Sequence, residues 1–422
     1  MKKVINVSTE KIKCTAEKCR CHSGEGRNRD MDAAASALKP DFVISAEMDF
    51  LKNHYANAGR GVCTRATAVD DMVARVRDQV REFIGAKSSD QIIFTSGTTD
   101  GMNRVARILC DSMFFVGRPT IWASDLDHHS ARMPFEELQH AHGFNFMVCP
   151  LDENFDLDVD KLGMPTDESM RARRTAIPDV FIITAMSNVL GRAQDVKKII
   201  ARARAKNPDI ITIIDAAQYV AHAPINVSDW GCDFLCFSGH KIGADTGIGI
   251  MYIQSPGRWS ADKFGGGMVS RITGSLATND SHWSLEPAPA KFEAGTLPLT
   301  QIAGLGALLE SAESREQRAE SREQRAELVR FLHSELSKIP RVKLLTCSDA
   351  AMVSFVVDGM HALDFGALAG AHGICLRVGN MCASWIHRRL GIDASIRLSP
   401  GPWNTMEQAE QVVEIVKKIL KE

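Results

Sequence analysis

The sequence predicts an α/β protein whose larger domain contains a mostly parallel β-sheet. Two observations carry this prediction. Between residues 91 and 253, short apolar runs alternate with helical patterns, which is typical of parallel strands joined by crossover helices. Beyond residue 300 the pattern changes to a long helical stretch followed by a mixed region, which indicates a smaller α/β domain packed on the first.

Seven strand candidates occur in the first of these regions. They are Gln91–Thr95, Thr120–Ala123, Phe144–Cys149, Val180–Ala185, Ile210–Asp215, Phe234–Ser238 and Gly247–Ile253. An amphipathic helix is predicted at Val196–Lys206, between the fourth and fifth strands. In the C-terminal part we expect a long helix around 300–338 and a final helix within Asn404–Lys421, where apolar residues recur at helical spacing.

Length and composition are those of a globular protein with two or three domains. The chain has 422 residues, of which 45% are hydrophobic, and its 50 basic and 52 acidic residues give a net charge of −2. This balance gives no electrostatic reason to expect nucleic acid as a partner. No apolar run approaches the roughly 18 residues of a membrane span, so no membrane partner is expected.

The cysteines and the first residues bear on the compartment. The chain has 11 cysteines, an odd number, and its start lacks the apolar stretch of a signal peptide. This usage indicates reduced thiols. We therefore predict a cytoplasmic protein and leave an organellar location open.

Three parts are predicted along the chain. They are a polar, cysteine-containing extension (1–29), a large domain (30–299) whose first part could pack with the small domain, and a small C-terminal domain (300–422). The extension contains Cys14, Cys19, Cys21 and His22, whose spacing resembles that of metal ligands. A zinc knuckle normally supplies two separated ligand pairs, so a flexible extension is favoured and no metal is predicted.

A short internal repeat lies at the start of the predicted small domain. Residues Ala312–Arg318 and Ala319–Arg325 have the same sequence, AESREQR. Seven residues are nearly two helical turns, so the duplication lengthens a helix and keeps its face. Because the repeat is strongly charged, it is interpreted as a solvated helix segment without a chemical role.

Chemically informative residues follow three of the predicted strands. In open α/β sheets, ligands bind beyond the carboxyl ends of the strands. Ser96–Gly101, after the first strand, has the small and hydroxyl residues of an anion site at a helix N-terminus, with a helix expected from about Met102; a capped turn is an equal alternative. Asp215, after the fifth strand, is either a salt-bridged acid or the partner of a heteroaromatic nitrogen. Lys241, after the sixth strand, is either a solvated loop lysine or a Schiff-base lysine.

The combination is more informative than its parts. A phosphate cradle, an acid for a pyridinium nitrogen and a lysine for an aldehyde are the three features that pyridoxal phosphate requires. In this sequence each follows a different strand of one predicted sheet.

Longer stretches resemble a known family. They are Ile93–Ala106, Met186–Arg192, Ile214–Pro224, Cys232–Ile250, Lys291–Pro298 and Gly373–Gly391. In order and content they resemble the fold-type I pyridoxal-phosphate enzymes of the class V aminotransferase superfamily, and within it the cysteine desulfurases. The resemblance implies a large domain with a mostly parallel seven-stranded sheet and a smaller C-terminal α/β domain.

The resemblance also implies roles for the cofactor site. Lys241 would hold the cofactor's aldehyde and move the substrate Cα proton, and Asp215 would pair with the pyridinium nitrogen. His128 would stack on the ring, and Gln218 would bond its phenolic oxygen. The residues that would bind the phosphate are Thr98, Thr99, Ser238 and His240, together with Gly295 and Thr296, which match residues that reach the other subunit's phosphate. A homodimer is therefore expected.

The C-terminal stretch points to a subgroup. Cys382 lies in Arg377–Ala383, which resembles the loop of the persulfide-forming cysteine, and it precedes Arg397 by 15 residues. A loop this short resembles the group II, SUF-type or selenocysteine lyase-like enzymes. Arg397 would grip the substrate carboxylate with its bidentate fork. Asn188 and Arg377 would assist, and Arg60 matches an active-site arginine near the interface. Asn380 and Met381 depart from two histidines that commonly precede the cysteine.

The function implied is that of a cysteine desulfurase. It would convert L-cysteine to L-alanine and place the sulfur on Cys382 as a persulfide, for iron–sulfur cluster assembly or another sulfur-requiring synthesis, with a sulfur-acceptor protein as partner. The alternatives are a selenocysteine lyase, another class V aminotransferase or epimerase, and an inactive scaffold with a metal-binding N-terminus. Cys232 and Cys236, on the strand before Lys241, are expected to be core residues.

Overall fold

The structure, a computed structural model, describes residues 29–59, 61–112, 119–162, 178–273, 282–310 and 315–421. The strands are β1 (Arg29–Asp30), β2 (Ile92–Thr95), β3 (Thr120–Ser124), β4 (Asn145–Cys149), β5 (Val180–Thr184), β6 (Ile211–Asp215), β7 (Phe234–Ser238), β8 (Gly249–Ile253), β9 (Val269–Thr273), β10 (His282–Leu285), β11 (Val342–Leu344), β12 (Val353–Val357), β13 (Ile374–Cys375), β14 (Arg377–Gly379) and β15 (Ser395–Leu398). The α-helices are α1 (Asp41–Asp49), α2 (Thr64–Ile84), α3 (Thr98–Asp111), α4 (His129–His142), α5 (Val196–Lys206), α6 (Tyr219–His222), α7 (Val227–Trp230), α8 (Leu299–Glu310), α9 (Arg315–Ser337), α10 (Ala362–Ala371), α11 (Ser384–Arg389) and α12 (Met406–Ile419).

A seven-stranded sheet forms the centre of the molecule. Its order is β2-β8-β7-β6-β5-β3-β4. Strand β8 runs antiparallel to both of its neighbours, and the other neighbouring pairs are parallel. Each of the seven predicted strands is present, with ends that differ by at most two residues, and the predicted helix Val196–Lys206 is present with the same bounds. The α/β class and the mostly parallel sheet are therefore confirmed.

The central sheet is apolar on both faces, and this explains its continuous apolar strands. In β5 and β6, Ile183 and Ile214 point into one apolar cluster, whereas Ile182 and Ile213 point into another. Helix α2 covers the first face with residues at helical spacing, namely Val69, Val73, Val76, Val80 and Ile84. Cys232 and Cys236 are fully buried in these clusters, as predicted.

A four-stranded antiparallel sheet organises the C-terminal part. Its order is β11-β12-β15-β14, and helices α9, α10 and α12 pack around it through a third apolar cluster. Strand β1 pairs in parallel with β13, so the first described residues lie on this part of the molecule. Helix α8 packs on α1 and α2 of the large sheet's helical layer, whereas α9 packs on α12. The domain limits at residues 29 and 299 stay predictions.

Two local expectations are corrected. Helix α3 begins at Thr98 and not near Met102, because Gly97, at φ 150°, ends the strand-to-helix turn and lets Thr98 and Thr99 enter the first helical turn. The second copy of the repeat lies in helix α9, but its arginines Arg322 and Arg325 are half-buried and not solvated, because that face of the helix packs against the large domain. Within the described ranges, no helix is both long and apolar enough to cross a membrane.

A buried ion pair fixes the loop before α8 to the edge of the sheet. The Arg77 guanidinium donates to both Glu293 carboxylate oxygens at 2.8 Å, and the two side chains are 8% and 5% exposed. Glu293 also accepts from the Phe94 backbone N–H, and Arg77 donates to the Ile92 carbonyl. The Lys291–Pro298 stretch is thereby tied to β2.

Replacing Glu293 with Gln is expected to lower the free energy of unfolding by about 3–5 kcal/mol, because the Arg77 charge then remains buried without a counter-charge. Urea denaturation at one protein concentration measures the change. The matched control is Glu410→Gln in α12, which is exposed and makes no ion pair within the described part of the chain; it should shift stability by less than about 0.5 kcal/mol. Equal effects of both variants would contradict the structural role of the pair.

Candidate active site

Most of the predicted site residues line a single cleft of about 510 Å³ at the carboxyl edge of the central sheet. They are Thr98, Thr99, His128, Asn188, Asp215, Gln218, Ser238, His240, Lys241, Arg377, Cys382 and Arg397. Gly295 and Thr296 are exposed and do not line it. Arg60 and the four residues Cys14, Cys19, Cys21 and His22 lie outside the described residues.

Strand direction brings these residues together. Thr95 of β2 and Ser238 of β7 both pair with Gly249 of β8, so the carboxyl ends of β2 and β7 lie at the same edge. A side chain at Gly249 would bring its Cβ to 2.5 Å from the Gly97 Cα, which no real structure tolerates. Glycine at position 249 therefore allows the turn before α3 to cross the strand and deliver Thr98 to the cleft.

Hydroxyl groups cluster at the N-terminus of α3. The Ser238 Oγ accepts from the Thr98 backbone N–H at 2.7 Å and lies 2.8 Å from the Thr98 Oγ1. The Thr99 Oγ1 lies 2.7 Å from the Ser130 Oγ at the start of α4. Hydroxyls and a helix N-terminus together form a suitable site for a phosphate.

Lys241 lies deep in the cleft, and its environment disfavours the ammonium form. Its Nζ donates to the carbonyl oxygens of Ala34 at 2.6 Å and Ala35 at 3.0 Å. Burial, followed by the charge of Arg397, lowers the pKa of Lys241 to about 8, and Asp215 opposes this shift. A lysine that loses its proton this readily can attack a carbonyl group.

Asp215 ends strand β6 beneath the cleft. Its carboxylate accepts from the Ala217 backbone N–H at 2.9 Å, and burial raises its pKa to about 6. Gln218 follows one turn later, and its amide donates to the Ala34 carbonyl at 2.7 Å, leaving a second N–H on the same nitrogen. A buried acid in this position suits a protonated ring nitrogen, whose charge would favour the ionised carboxylate.

His128 stands at the N-cap of α4. Its Nδ1 accepts from the Ser130 backbone N–H at 3.1 Å, and burial together with Lys241 lowers its pKa to about 4. The preceding residue, Asp127, is fully buried and accepts from Thr184 of β5 and Ser124 of β3. This bond network fixes the start of α4, so His128 presents a neutral ring to the cleft.

One acidic residue that sequence reasoning missed organises the basic side of the cleft. Asp32 accepts from Arg397 at 3.1 Å and from Arg377 at 2.7 Å. Arg397 is buried and also donates to the Asn188 carbonyl at 2.8 Å. No local pattern marks Asp32, because its partners lie on strands β14 and β15 at the other end of the chain.

The loop that carries Cys382 is held against the large domain. The Asn188 Nδ2 donates to the Met381 carbonyl, and the His129 backbone N–H donates to the Cys382 carbonyl, both at 2.8 Å. The Asn380 Oδ1 accepts from the Cys382 backbone N–H. Met381 and Cys382 have φ of 52° and 53°, a left-handed conformation that costs non-glycine residues roughly 1–3 kcal/mol each. Cys382 is exposed at the rim of the cleft.

The cleft fits pyridoxal phosphate in its donors and acceptors. Two residues that line it each have a buried polar atom, the Asn188 Oδ1 and the Arg397 Nε, with no hydrogen-bond partner among the described residues. Such atoms are costly unless a ligand satisfies them. Thr98, Thr99, Ser238 and His240 would hold the phosphate, and Asp215, Gln218, His128 and Lys241 would hold the ring.

Comparisons with known proteins agree with this arrangement. A family model described as aminotransferase class-V matches residues 31–412. A cysteine desulfurase of Pectobacterium atrosepticum is 33% identical over 397 residues, which cover 92% of each chain. Among solved structures, a cysteine desulfurase of Thermococcus onnurineus has a TM-score of 0.84 at 28% identity and covers 93% of this chain and 95% of its own. A cysteine desulfurase of Escherichia coli has a TM-score of 0.82 at 28% identity, with 94% and 95% covered.

Removing the cofactor should expose the unusual pKa of Lys241. We expect the apoprotein to take up pyridoxal phosphate at a rate that rises with pH and has its midpoint near 8, because only the neutral amine attacks an aldehyde. Stopped-flow measurement of the visible absorbance over a pH series that brackets 8 tests this. In Arg397→Gln the midpoint should move upward, since Arg397 lowers this pKa. A midpoint near the ordinary lysine value of 10.5 would contradict the assignment.

Proposed function

We propose that Cys382 receives the sulfur of L-cysteine, because the chain belongs to the class V aminotransferase family and, within it, to the cysteine desulfurases. Enzymes of this family use pyridoxal phosphate. The observation that carries the proposal is the location of Cys382. Its loop lines the same cleft as Lys241, Asp215 and Arg397, and bonds from Asn188 and His129 hold it there.

Different residues of the chain perform different parts of the proposed reaction. When bound, the cofactor withdraws electrons from the substrate Cα and so weakens the bonds to that carbon and its neighbour. Arg397, already fixed by Asp32 and the Asn188 carbonyl, presents its free Nε and binds the substrate carboxylate. Lys241, with a pKa of about 8, exchanges the Cα proton near neutral pH. The neutral His128 ring covers the cofactor plane.

The sulfur step balances without a further reactant. The Cys382 thiolate attacks the substrate sulfur, a new S–S bond forms and the C–S bond breaks. A proton then replaces the sulfur on the substrate carbon, which gives L-alanine and a persulfide on Cys382. Because Cys382 is exposed at the cleft rim, a sulfur-acceptor protein could reach the terminal sulfur directly.

The proposed subgroup, homodimer and cellular location are also supported by particular residues. The short, held loop around Cys382 supports the SUF-type or selenocysteine lyase-like subgroup. Gly295 and Thr296 are exposed and lie outside the cleft of their own chain, which supports a homodimer in which they reach the partner's phosphate. A persulfide carrier requires a reduced thiol between turnovers, which supports a cytoplasmic location and a role in iron–sulfur cluster assembly or another sulfur-requiring synthesis.

Changing Cys382 to Ala is expected to reduce alanine formation from L-cysteine to near background, because no thiolate remains to take the sulfur. Alanine is measured by mass spectrometry, and protein-bound persulfide by cyanolysis. The matched control is Cys375→Ala, which removes another exposed thiol of the small domain that does not line the cleft, and it should behave as wild type. Full turnover by Cys382→Ala with an acceptor present would refute the proposal.

The same pair of variants separates the nearest alternative. Selenium leaves carbon more readily than sulfur does, so a selenocysteine lyase would retain activity on L-selenocysteine after the loss of Cys382. Parallel assays with L-cysteine and L-selenocysteine therefore distinguish a desulfurase, which loses its L-cysteine activity, from a lyase that cleaves selenocysteine at the wild-type rate in both variants.

Arg397→Gln is expected to raise the KM for L-cysteine by roughly 10- to 100-fold, since a charge-assisted bond to the carboxylate contributes about 1.5–3 kcal/mol. The visible absorbance of the bound cofactor verifies that the variant is folded. Arg388→Gln is the control, because Arg388 is exposed on α11 and does not line the cleft. An unchanged KM in Arg397→Gln would show that a different group binds the substrate carboxylate.

A further inference from the structure

A second cavity lies behind the active-site cleft. Its volume is about 480 Å³, and it opens between the segment 33–40, helix α9 and the residues that follow β15. The two cavities share a wall. Ala34 and Ala35 face the cleft, whereas Ala33, Ala37 and Leu38 face the second cavity, and Lys241 and Gln218 line both.

The described residues that line this cavity carry positive charge and no negative charge. Its lining includes Lys39, Arg322, Arg325 and the imidazole of His222, and no acidic side chain is among the described residues that line it. Lys39 pairs with Asp245 at 3.5 Å. Among the described residues, Arg325 donates to the carbonyl oxygens of Ala221 and Ser321 and to no carboxylate.

Arg322 is the clearest example of a basic side chain in this cavity without an acidic partner. The half-buried Arg322 guanidinium has neither a hydrogen bond nor an ion pair with any described residue. Burial lowers the pKa of Arg322, and burial together with Arg322 lowers that of Arg325 to about 10. Burial and the two arginines lower the pKa of His222 to about 3. Two guanidinium groups and a neutral imidazole therefore face one space, and none of the described residues that line it is acidic.

The two arginines come from the second copy of the AESREQR repeat. They are three residues apart, so they project from the same face of α9 toward the cavity. The duplication thus places a matched pair of guanidinium groups at this wall, and forks of this type bind carboxylates, sulfonates and phosphates in a bidentate manner.

The remaining walls are apolar and partly aromatic. The same space is lined by Phe42, Phe83, Leu308, Leu309 and Trp403. Pockets that combine a mostly apolar lining with a few convergent polar groups are typical of small-molecule sites. The cavity therefore accommodates both a charged group and an apolar body.

From these contacts we infer that the second cavity is a binding site for a small organic anion with an apolar body, held by Arg322 and Arg325. The site is distinct from the phosphate end of the active-site cleft, which is formed by Thr98 and Ser238 at the N-terminus of α3. The inference does not depend on the reaction proposed for Cys382.

A pair of fluorescent probes tests the inference on the full-length holoenzyme. The anion 8-anilinonaphthalene-1-sulfonate and its neutral counterpart N-phenyl-1-naphthylamine share the same rings and differ in the sulfonate. We expect saturable binding of one anionic probe per chain. Arg322→Gln should weaken the binding of the anionic probe by roughly tenfold and leave the binding of the neutral probe unchanged, because only the charge-assisted bond is lost.

The control is Arg330→Gln on the same helix. Arg330 is exposed, pairs with Glu323 and does not line the cavity, so neither probe should bind differently. Equal weakening of both probes in Arg322→Gln, or an unchanged affinity for the anion, would overturn the inference. The absence of saturable binding to the full-length chain would do so as well, since another part of the protein would then fill the cavity.

Wild-type protein provides a measurement that does not depend on the folding of a variant. Rising salt concentration should weaken the binding of the anionic probe and leave that of the neutral probe unchanged, because screening acts only on the charge. A salt response that is the same for both probes contradicts an anion site.

Discussion

The site depends on one arrangement of charge, in which the single carboxylate of Asp32 holds both Arg377 and Arg397. The two arginines lie on adjacent strands of the small sheet, and like charges this close repel each other unless an acid lies between them. Asp32 belongs to the first described segment, which continues into backbone bonds with both parts of the molecule. The Ala33 N–H donates to the Ser399 carbonyl, and the Ala37 N–H donates to the His240 carbonyl. The segment 29–37 therefore positions the C-terminal sheet relative to Lys241 and the other cleft residues at the edge of the central sheet.

The same segment sets the chemistry of Lys241. Its carbonyl oxygens at Ala34 and Ala35 accept from the Lys241 Nζ, while Arg397, which Asp32 holds, lowers the pKa of the same lysine. The buried ionisable groups of the cleft are thus shifted toward their neutral forms: upward for Asp215 and downward for Lys241 and His128. A bound group with an anionic phosphate and a protonated ring nitrogen would supply the charges that these residues lack. Perturbed pKa values of both signs in one cleft are characteristic of a functional site.

The parts that sequence predicted well depend on local patterns, and the parts that it missed depend on distant contacts. Strands β5 and β6 are buried on both faces, so their continuous apolar runs identify them, and the residues after each parallel strand necessarily reach one edge. No local pattern identifies Asp32, because its arginine partners lie on strands that follow more than 300 residues later. The charged composition of the repeat predicts solvent exposure for Arg322 and Arg325, yet the face of a helix that becomes buried depends on what packs on it. The sequence predicts a start of α3 near Met102, which is too late, because the φ of Gly97 is set by the turn that crosses Gly249.

The backbone around Cys382 shows how a loop can be short, exposed and still defined. Two consecutive non-glycine residues in the left-handed region persist only where the surroundings over-determine them. Three bonds do so here. Asn188 and the His129 N–H hold the loop from the large domain, and the side chain of Asn380 turns back to the Cys382 N–H. Asparagine suits this turn because its short side-chain carbonyl reaches the backbone two residues later. Asn380, which stands where histidine is common in the resembling family, thus has a structural consequence, because its side chain fixes the backbone of Cys382 at the rim of the cleft.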